Sequence, residues 1–404
     1  PDGWEWKKLE KLAKLQNGFA FKSNLFVNEG LPIVRIKNIK NEKVLLDDVV
    51  YFNVEDYGKK LDSYQIKKND ILLAMSGATT GKIGLYDTDE ISYLNQRVGL
   101  FRIENSNLRS YLFYFLSTQI EKNLELSLGA AQPNLSTEQI NNIELPLPPL
   151  EEQKRIVAKL DILFAKIDKA IALHQKNIDE ANVFMASVLN NVFVELEEKY
   201  KYTKLKNAVT KEKTSIKRGP FGSALKKSFF VEKGYLVYEQ YHALNNDFSM
   251  ERYYIDENKF NELKGFEVKA GDIIISCSGA YLGKLAIIPN DFTKGIINQA
   301  LLKLSLNKNI IINELFVYFW NNLMNNGFFD EVKKGAAIPN MPAVKELKEI
   351  NIPLPELPIQ QKVVSYLDEI SKKMEKIKQI QKEKMQSLKA LKASILDQAF
   401  KGEL

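Results

Sequence analysis

The chain has 404 residues, 45% hydrophobic and 27% charged, with a formal net charge of +6, too long for one compact domain and suited to two with a joining element. Its one cysteine, Cys277, excludes an intramolecular disulfide framework, and its two histidines, His174 and His242, leave no Cys/His metal cluster, so no metal site is expected. No apolar run approaches the roughly 18 residues of a membrane span, and the opening Pro1-Asp-Gly-Trp4 is not a secretory signal; a cytoplasmic protein with no membrane partner is expected, with a few native residues preceding Pro1.

Taken in chain order, a lysine run (Lys7, Lys8, Lys11, Lys14, Lys22) leads into a glycine-aromatic loop at Gly18. Short strands are then predicted from Leu31-Pro-Ile-Val-Arg-Ile36, Asp70-Ile-Leu-Leu-Ala-Met75 and Val98-Gly-Leu-Phe-Arg-Ile103, each bounded by turn residues. Helical spacing follows in Leu108, Tyr111, Leu112, Phe115, Leu116 and Ile120. Strands first and helix late argue α+β with a mainly antiparallel or mixed sheet. Pro146, Pro148 and Pro149 forbid helix before about Glu151; from there to about Phe193 no proline or glycine interrupts the pattern.

The sequence then repeats itself. A denser basic run from Lys199 to Lys227 precedes Gly222-Ser-Ala-Leu-Lys226, which echoes Gly18-Phe-Ala-Phe-Lys22. Asp70-Ile-Leu-Leu-Ala-Met-Ser-Gly77 returns as Asp272-Ile-Ile-Ile-Ser-Cys-Ser-Gly279, and Asn95-Gln96 as Asn298-Gln299. Gly129-Ala-Ala-Gln-Pro-Asn134 returns as Gly335-Ala-Ala-Ile-Pro-Asn340, and Leu145-Pro-Leu-Pro148 as Ile352-Pro-Leu-Pro355. Two colinear copies of a long unit make a pseudo-dimer on one chain rather than a solenoid. The expected domains are residues 1–149, a central helix at 150–195, a second copy at 196–357 and a distal helix with its tail at 358–404.

The two long helices carry apolar seams. Ile156, Leu160, Leu163, Ile167 and Ala170 keep a 4-3-4-3 spacing, which resumes through Ile178, Ala181, Met185, Val188 and Val192. The second helix, from about Ile359 to Phe400, offers Val363, Leu367, Ile370, Met374 and Ile377, then Met385, Leu388, Ile395 and Ala399. At 1.5 Å per residue, 43 residues span roughly 64 Å, about twice the width of a small domain. Such a rod needs a partner along its length, and the nearest is its own copy, in an antiparallel coiled coil. His174 and Gln381 sit mid-seam at equivalent positions and would set its register.

Catalytic motifs are wanting. Ser76-Gly77-Ala-Thr-Thr-Gly81-Lys82 has three residues between its glycines where a P-loop has four, and Ile83 stands where the magnesium-binding hydroxyl belongs. Gly279-Ala-Tyr-Leu-Gly283-Lys284 repeats both departures. Neither histidine belongs to a hydrolase motif, Cys277 aligns with Met75 in an apolar strand, and the tetrapeptides of amino-methyltransferase loops do not occur. The chain reads as catalytically empty.

These features together resemble the specificity subunit of Type I restriction-modification systems. The resemblance rests on the duplicated lead-ins Leu145-Pro-Leu-Pro-Pro-Leu-Glu-Glu-Gln153 and Ile352-Pro-Leu-Pro-Glu-Leu-Pro-Ile-Gln360, the opening Gly3-Trp4-Glu-Trp6 and the ending Gln398-Ala-Phe-Lys-Gly-Glu-Leu404, and it covers essentially the whole chain. It implies two target-recognition domains, each reading one half of a bipartite asymmetric site in double-stranded DNA. It further implies two helices that set the gap and dock two modification (methyltransferase) subunits, with two restriction (translocase-nuclease) subunits in the larger assembly. S-adenosylmethionine, ATP and Mg would then belong to those partner subunits and no cofactor to this chain.

On that reading the candidate DNA contacts are Lys22, Ser76, Thr79, Thr80, Lys82, Asn95, Gln96, Arg97 and Gln132 in the first copy, and Lys226, Ser278, Tyr281, Lys284, Asn298 and Gln299 in the second. Lysines hold phosphate, whereas Asn, Gln and Arg can pair with base edges. Residues shared by both copies, such as Asn95-Gln96 and Asn298-Gln299, suit structural or phosphate roles, because heads that read different sequences should differ where they touch bases. Gln132 against Ile338, or Thr79-Thr80 against Tyr281-Leu282, are the better specificity candidates. The competing classes are a fused restriction-methylation enzyme and a coiled-coil scaffold without a DNA role.

Overall fold

The strands and helices of the two repeats recur in a computed structural model, which describes residues 3–127, 134–330 and 340–404. The chain divides into two compact units, Pro1–Gln175 with Lys382–Leu404, and Lys176–Gln381. Each unit contains a mixed head and one part of each of two long helices, an α+β architecture.

In the first head, β1 (Glu5–Lys8), β2 (Gln16–Asn17), β3 (Leu31–Val34), β4 (Ile71–Ala74), β5 (Ile83–Leu85), β6 (Ser92–Leu94), β7 (Val98–Phe101) and β8 (Glu144–Leu147) carry the frame. The order β2–β7–β4–β5 forms an antiparallel sheet, extended by Glu42–Val44 and Ile39–Lys40. A second sheet runs Val50–Phe52, β3, β6, Gln65–Ile66, with β3 and β6 parallel. The second head repeats this with β9 (Tyr202–Lys204), β10 (Ile216–Arg218), β11 (Tyr235–Tyr238), β12 (Ile273–Ser276), β13 (Leu285–Ile287), β14 (Gly295–Ile297), β15 (Leu301–Leu304) and β16 (Asn351–Pro353). Its main sheet is β10–β15–β12–β13, and β11 and β14 are its parallel pair. The mixed sheet expected from the order of elements is therefore present twice.

The central strands read as unbroken apolar runs because both faces are covered. On β4, Ile71 and Leu73 join the core beneath α1 (Ser106–Thr118), while Leu72 and Ala74 join a second core with Val34, Leu94 and Leu100. On β12, Ile273 and Ile275 meet the core of α3 (Asn313–Asn325), while Ile274 faces Leu236, Ala286 and Ile297. Each strand starts on an aspartate that ties its own turn: the Lys67 N–H donates to Asp70 at 2.7 Å, and the Lys269 N–H to Asp272 at 2.8 Å. Asp70 is further held by a two-bond Arg102 fork at 2.6 and 3.0 Å, which raises the guanidinium pKa.

The long helices are α2 (Leu150–Lys199) and α4 (Leu357–Lys401). Each begins where the closing strand pair of its head ends, β1 with β8 and β9 with β16. The lead-in glutamines secure these starts. Gln153 donates to the Pro148 carbonyl at 2.8 Å. Gln360, fully buried, donates to the Pro355 and Ile310 carbonyls at 2.8 Å and accepts the Ile312 N–H at 2.9 Å.

Within the first unit α2 and α4 run antiparallel, with Lys392 beside Asp168 at 3.4 Å and Arg155 donating to the Leu404 carbonyl at 2.8 Å. Within the second unit Lys378 meets Asn182 at 3.2 Å. Burial corrects the seam in two ways. Ile377 is 39% exposed and lies outside it. The buried stripe is also wider than a coiled-coil seam, because the helix ends pack on the heads as well as on each other. Ile156, Val157, Leu160 and Phe164 share one core with Tyr111, Phe115, Leu396 and Ala399. Leu189, Phe193, Val364 and Leu367 share another with Phe316, Phe319 and Trp320.

Candidate nucleic-acid interface

The glycine-rich turns are hairpins joining antiparallel strands, β4 to β5 and β12 to β13. Their amides are used internally. Thr80 N–H donates to Gly77 O at 3.1 Å, Gly81 N–H to Ala74 O at 2.9 Å and Lys82 N–H to Thr79 O at 3.1 Å. In the second head Gly283 N–H donates to Ser276 O at 2.9 Å and Lys284 N–H to Tyr281 O at 3.2 Å. Gly81 and Gly283 both adopt φ +84°, the left-handed region that favours glycine. These bonds close each turn as a hairpin between antiparallel strands, not as a loop opening a helix, which agrees with the failed P-loop count. The turns instead present Lys82, Tyr281 and Lys284 to solvent, with Tyr281 59% exposed.

Thr80 is buried and caps its own turn, its Oγ1 donating to Gly77 O at 2.6 Å. The Ser76 and Thr79 hydroxyls are enclosed without hydrogen-bond partners. In the second head Gln240 donates to Ser276 Oγ and to the Ser278 carbonyl, both at 2.7 Å. Ser76 and Ser278 each bridge to the asparagine that ends the Gly-Ala-Ala motif, Asn134 and Asn340. Gln132, from the same motif, lies outside the described residues, as does Ile338.

The shared Asn-Gln pairs divide by role. Asn95 is 7% exposed and its side chain accepts the Arg97 N–H at 3.4 Å; Asn298 accepts the Ala300 N–H at 3.0 Å. Both asparagines thus shape the turn into the next strand. Gln96 and Gln299 are exposed beside them, as is Arg97. Gly18 and Gly219 make the turn possible: a Cβ on either would lie 2.1 Å from Asn95 O or 1.8 Å from Asn298 O. Gly18 N–H donates to Val98 O and Gly219 N–H to Leu301 O, so Gly219, not Gly222, is the counterpart of Gly18. Lys22 and Lys226, both exposed, each precede a 3-10 turn and remain equivalent, which places a three-residue insertion between Gly219 and Lys226.

In the first head these segments border a groove of about 390 Å³ lined in part by Phe21, Arg35, Lys37, Gln96 and Arg97. Arg35 and Lys37 were not among the sequence candidates. Arg35 falls inside the predicted strand Leu31–Ile36 and Lys37 just after it; the observed strand ends at Val34, and only the β3–β6 register shows that they emerge beside Gln96 and Arg97. The second head places Glu239 and Tyr241 at the matching positions.

Cys277 lies fully buried, and burial pushes its thiol up to about 11, so it is a core group and not a nucleophile. His242 is fully buried with both ring nitrogens engaged, by Glu239 and the Met250 carbonyl. Among the described residues no cluster of His, Cys, Asp or Glu could hold a metal ion, and no helix is long and apolar enough to cross a membrane. On the long helices, Asn177 donates to Gln381 at 3.3 Å; His174 is half-buried on α2.

The chain matches the family model described as Type I restriction modification DNA specificity domain over residues 1–183 and 221–384. It is 34% identical to the Type I restriction enzyme MjaVIII specificity subunit of Methanocaldococcus jannaschii over 47% of this chain; that match spans 45% of the relative's length. It is 24% identical to the Type I restriction enzyme EcoBI specificity subunit of Escherichia coli over 100% of this chain and 86% of that one. Its fold is shared, at a TM-score of 0.71 and 21% identity over 100% of this chain and 99% of the other, with a chain from a structure described as underlying complex assembly and conformational transition of the type I R-M system.

Proposed function

The chain belongs to the Type I restriction modification DNA specificity domain family, and we propose that it is the non-catalytic DNA-reading subunit of such a system. Each head reads one half of a bipartite, asymmetric duplex site, with residues 1–149 and 196–357 as the reading domains. The helices at 150–195 and 358–404 hold the spacing and dock two modification subunits, and two restriction subunits complete the assembly. S-adenosylmethionine, ATP and Mg reside on those partners, whose relatives' systems carry the name restriction enzyme while chains like this one carry the name specificity subunit.

One observation carries this reading. Two heads that share a four-strand core order, β2–β7–β4–β5 and β10–β15–β12–β13, present strand-end loops bearing exposed Lys22, Lys82, Gln96 and Arg97 in one, and Lys226, Lys284 and Gln299 in the other, while neighbouring loop residues differ. A common frame with differing tips suits a protein that meets the same polymer twice and reads different sequences. Lysines supply the salt-dependent phosphate term, and the differing side chains supply base discrimination.

The test is binding of the chain with its modification subunits to a library of DNA duplexes at several salt concentrations. Affinity should depend on two separated short sequences at fixed spacing and fall steeply with salt. Binding that ignores sequence would leave a scaffold instead. Methyl transfer by the purified chain alone would restore the fused-enzyme reading.

A further inference from the structure

The two heads can be matched residue by residue through the register of their parallel strand pairs. Val34 pairs with Leu94 and Tyr238 with Ile297 in the equivalent parallel ladders. The next residues, Arg35 (φ −115°, ψ 167°) and Glu239 (φ −110°, ψ 169°), share one backbone conformation. Arg97 and Ala300 are matched in the same way, each donating its N–H to the turn asparagine. The matched positions hold Arg35, Lys37 and Arg97 in the first head, and Glu239, Tyr241 and Ala300 in the second. The scaffold is the same and the charge is reversed.

The Arg35 backbone is pinned. Its N–H donates to Asn38 Oδ1 at 2.9 Å, its carbonyl accepts the Asn38 N–H at 2.8 Å, and Asn38 is 1% exposed. Its Nε is enclosed without a partner, whereas Lys37 is engaged by Asp48 at 2.5 Å. Among the described residues no acidic side chain lines the groove. Two arginine forks on a rigid frame offer parallel donors that match the O6 and N7 acceptors of guanine; phosphate alone would require only point charges. In the second head Glu239 is half-buried and stands at the N-cap of the short helix Gln240–Asn245. On a surface that meets phosphates, a carboxylate is repelled unless it accepts from a base amino group, and cytosine N4 is its usual partner.

We propose that residues 35 and 97 in the first head and residue 239 in the second are the base-reading positions, with Arg35 and Arg97 taking guanine and Glu239 accepting from the amino group of cytosine. This rests on the DNA-reading role, and the test separates the two. The full chain is expressed with its modification subunits in a host free of other methylation, and methylated sites are mapped genome-wide. Arg97→Ala and Arg35→Lys, which keeps the charge but loses the fork, should each relax one guanine in one half-site by about 10- to 100-fold, leaving the other half intact. Glu239→Gln should relax one cytosine in the opposite half-site by a similar factor. If the variants demand the same bases as the parent, the assignment is wrong while the role stands. If binding weakens equally on all sequences and the salt slope falls, the groove clamps phosphate and the assignment is again wrong. If the parent complex shows no bipartite motif, the role itself fails.

Discussion

Gln360→Leu is the most demanding test of the packing described above. The glutamine is fully buried, and its amide joins the start of α4 to the start of α3 through bonds to Pro355 O, Ile310 O and Ile312 N. Leucine fits the volume but leaves two carbonyls and one N–H without that partner. Each buried group so stranded costs about 1–3 kcal/mol, so the variant should lose about 3–9 kcal/mol before leucine's own burial, about 2 kcal/mol, is credited and about 1–7 kcal/mol after. The repeat supplies a control. Gln153 occupies the same place in the first turn of α2 but makes one such bond among the described residues, to Pro148 O. Gln153→Leu should therefore cost about 1–3 kcal/mol before the same credit, about one third of the uncredited loss in Gln360→Leu. Native-state hydrogen exchange read by mass spectrometry in graded urea reports each unit separately. Peptides from α3 and the start of α4 should lose protection in Gln360→Leu, and those from the start of α2 in Gln153→Leu. Equal losses in the two variants, or a loss below about 1 kcal/mol for Gln360→Leu, would refute the claim that these glutamines bind the long helices to their heads.

Other outcomes follow from single contacts. Gly219→Ala should destabilise the second head by at least about 1–3 kcal/mol, because its Cβ would collide with a backbone carbonyl; Gly222→Ala meets open space and should cost about 1–2 kcal/mol for its left-handed φ alone. Thermal melts that rank the two in the opposite order would undo the realignment of the repeat. The Cys277 thiol, raised to about 11 by burial, should resist alkylation at pH 8 in the native chain and react on unfolding; rapid labelling without urea would count against a closed second head. Glu349, held by Lys204 and Lys206, is depressed to about 2. Its contribution is present above the ordinary carboxylate range and is lost as pH falls from about 4.5 toward 2, so a side-chain carboxyl NMR titration with a midpoint near 4.5 would contradict that pairing.

Much of this protein is written locally. Proline placement stops and starts the long helices, aspartate marks the entry to the central strands, and short apolar runs mark β4 and β12, because these signals act over a few residues whatever surrounds them. The same locality makes the duplication visible, since equivalent turns need equivalent glycines and asparagines. Tertiary structure decided the rest. The helix stripe is wider than a heptad seam because Val157, Phe164, Leu189 and Phe193 also face the heads, a contact between residues far apart in sequence. The true partner of Gly18 is Gly219, because backbone approach and not side-chain likeness selects it. Arg35, inside a predicted strand, and Glu239 drew no notice in the sequence; only the parallel pairing of β3 with β6 and β11 with β14 brings them beside the Asn-Gln turns. Periodicity and turn chemistry are carried by neighbours along the chain, whereas a binding surface is assembled by strand register, which no single segment encodes.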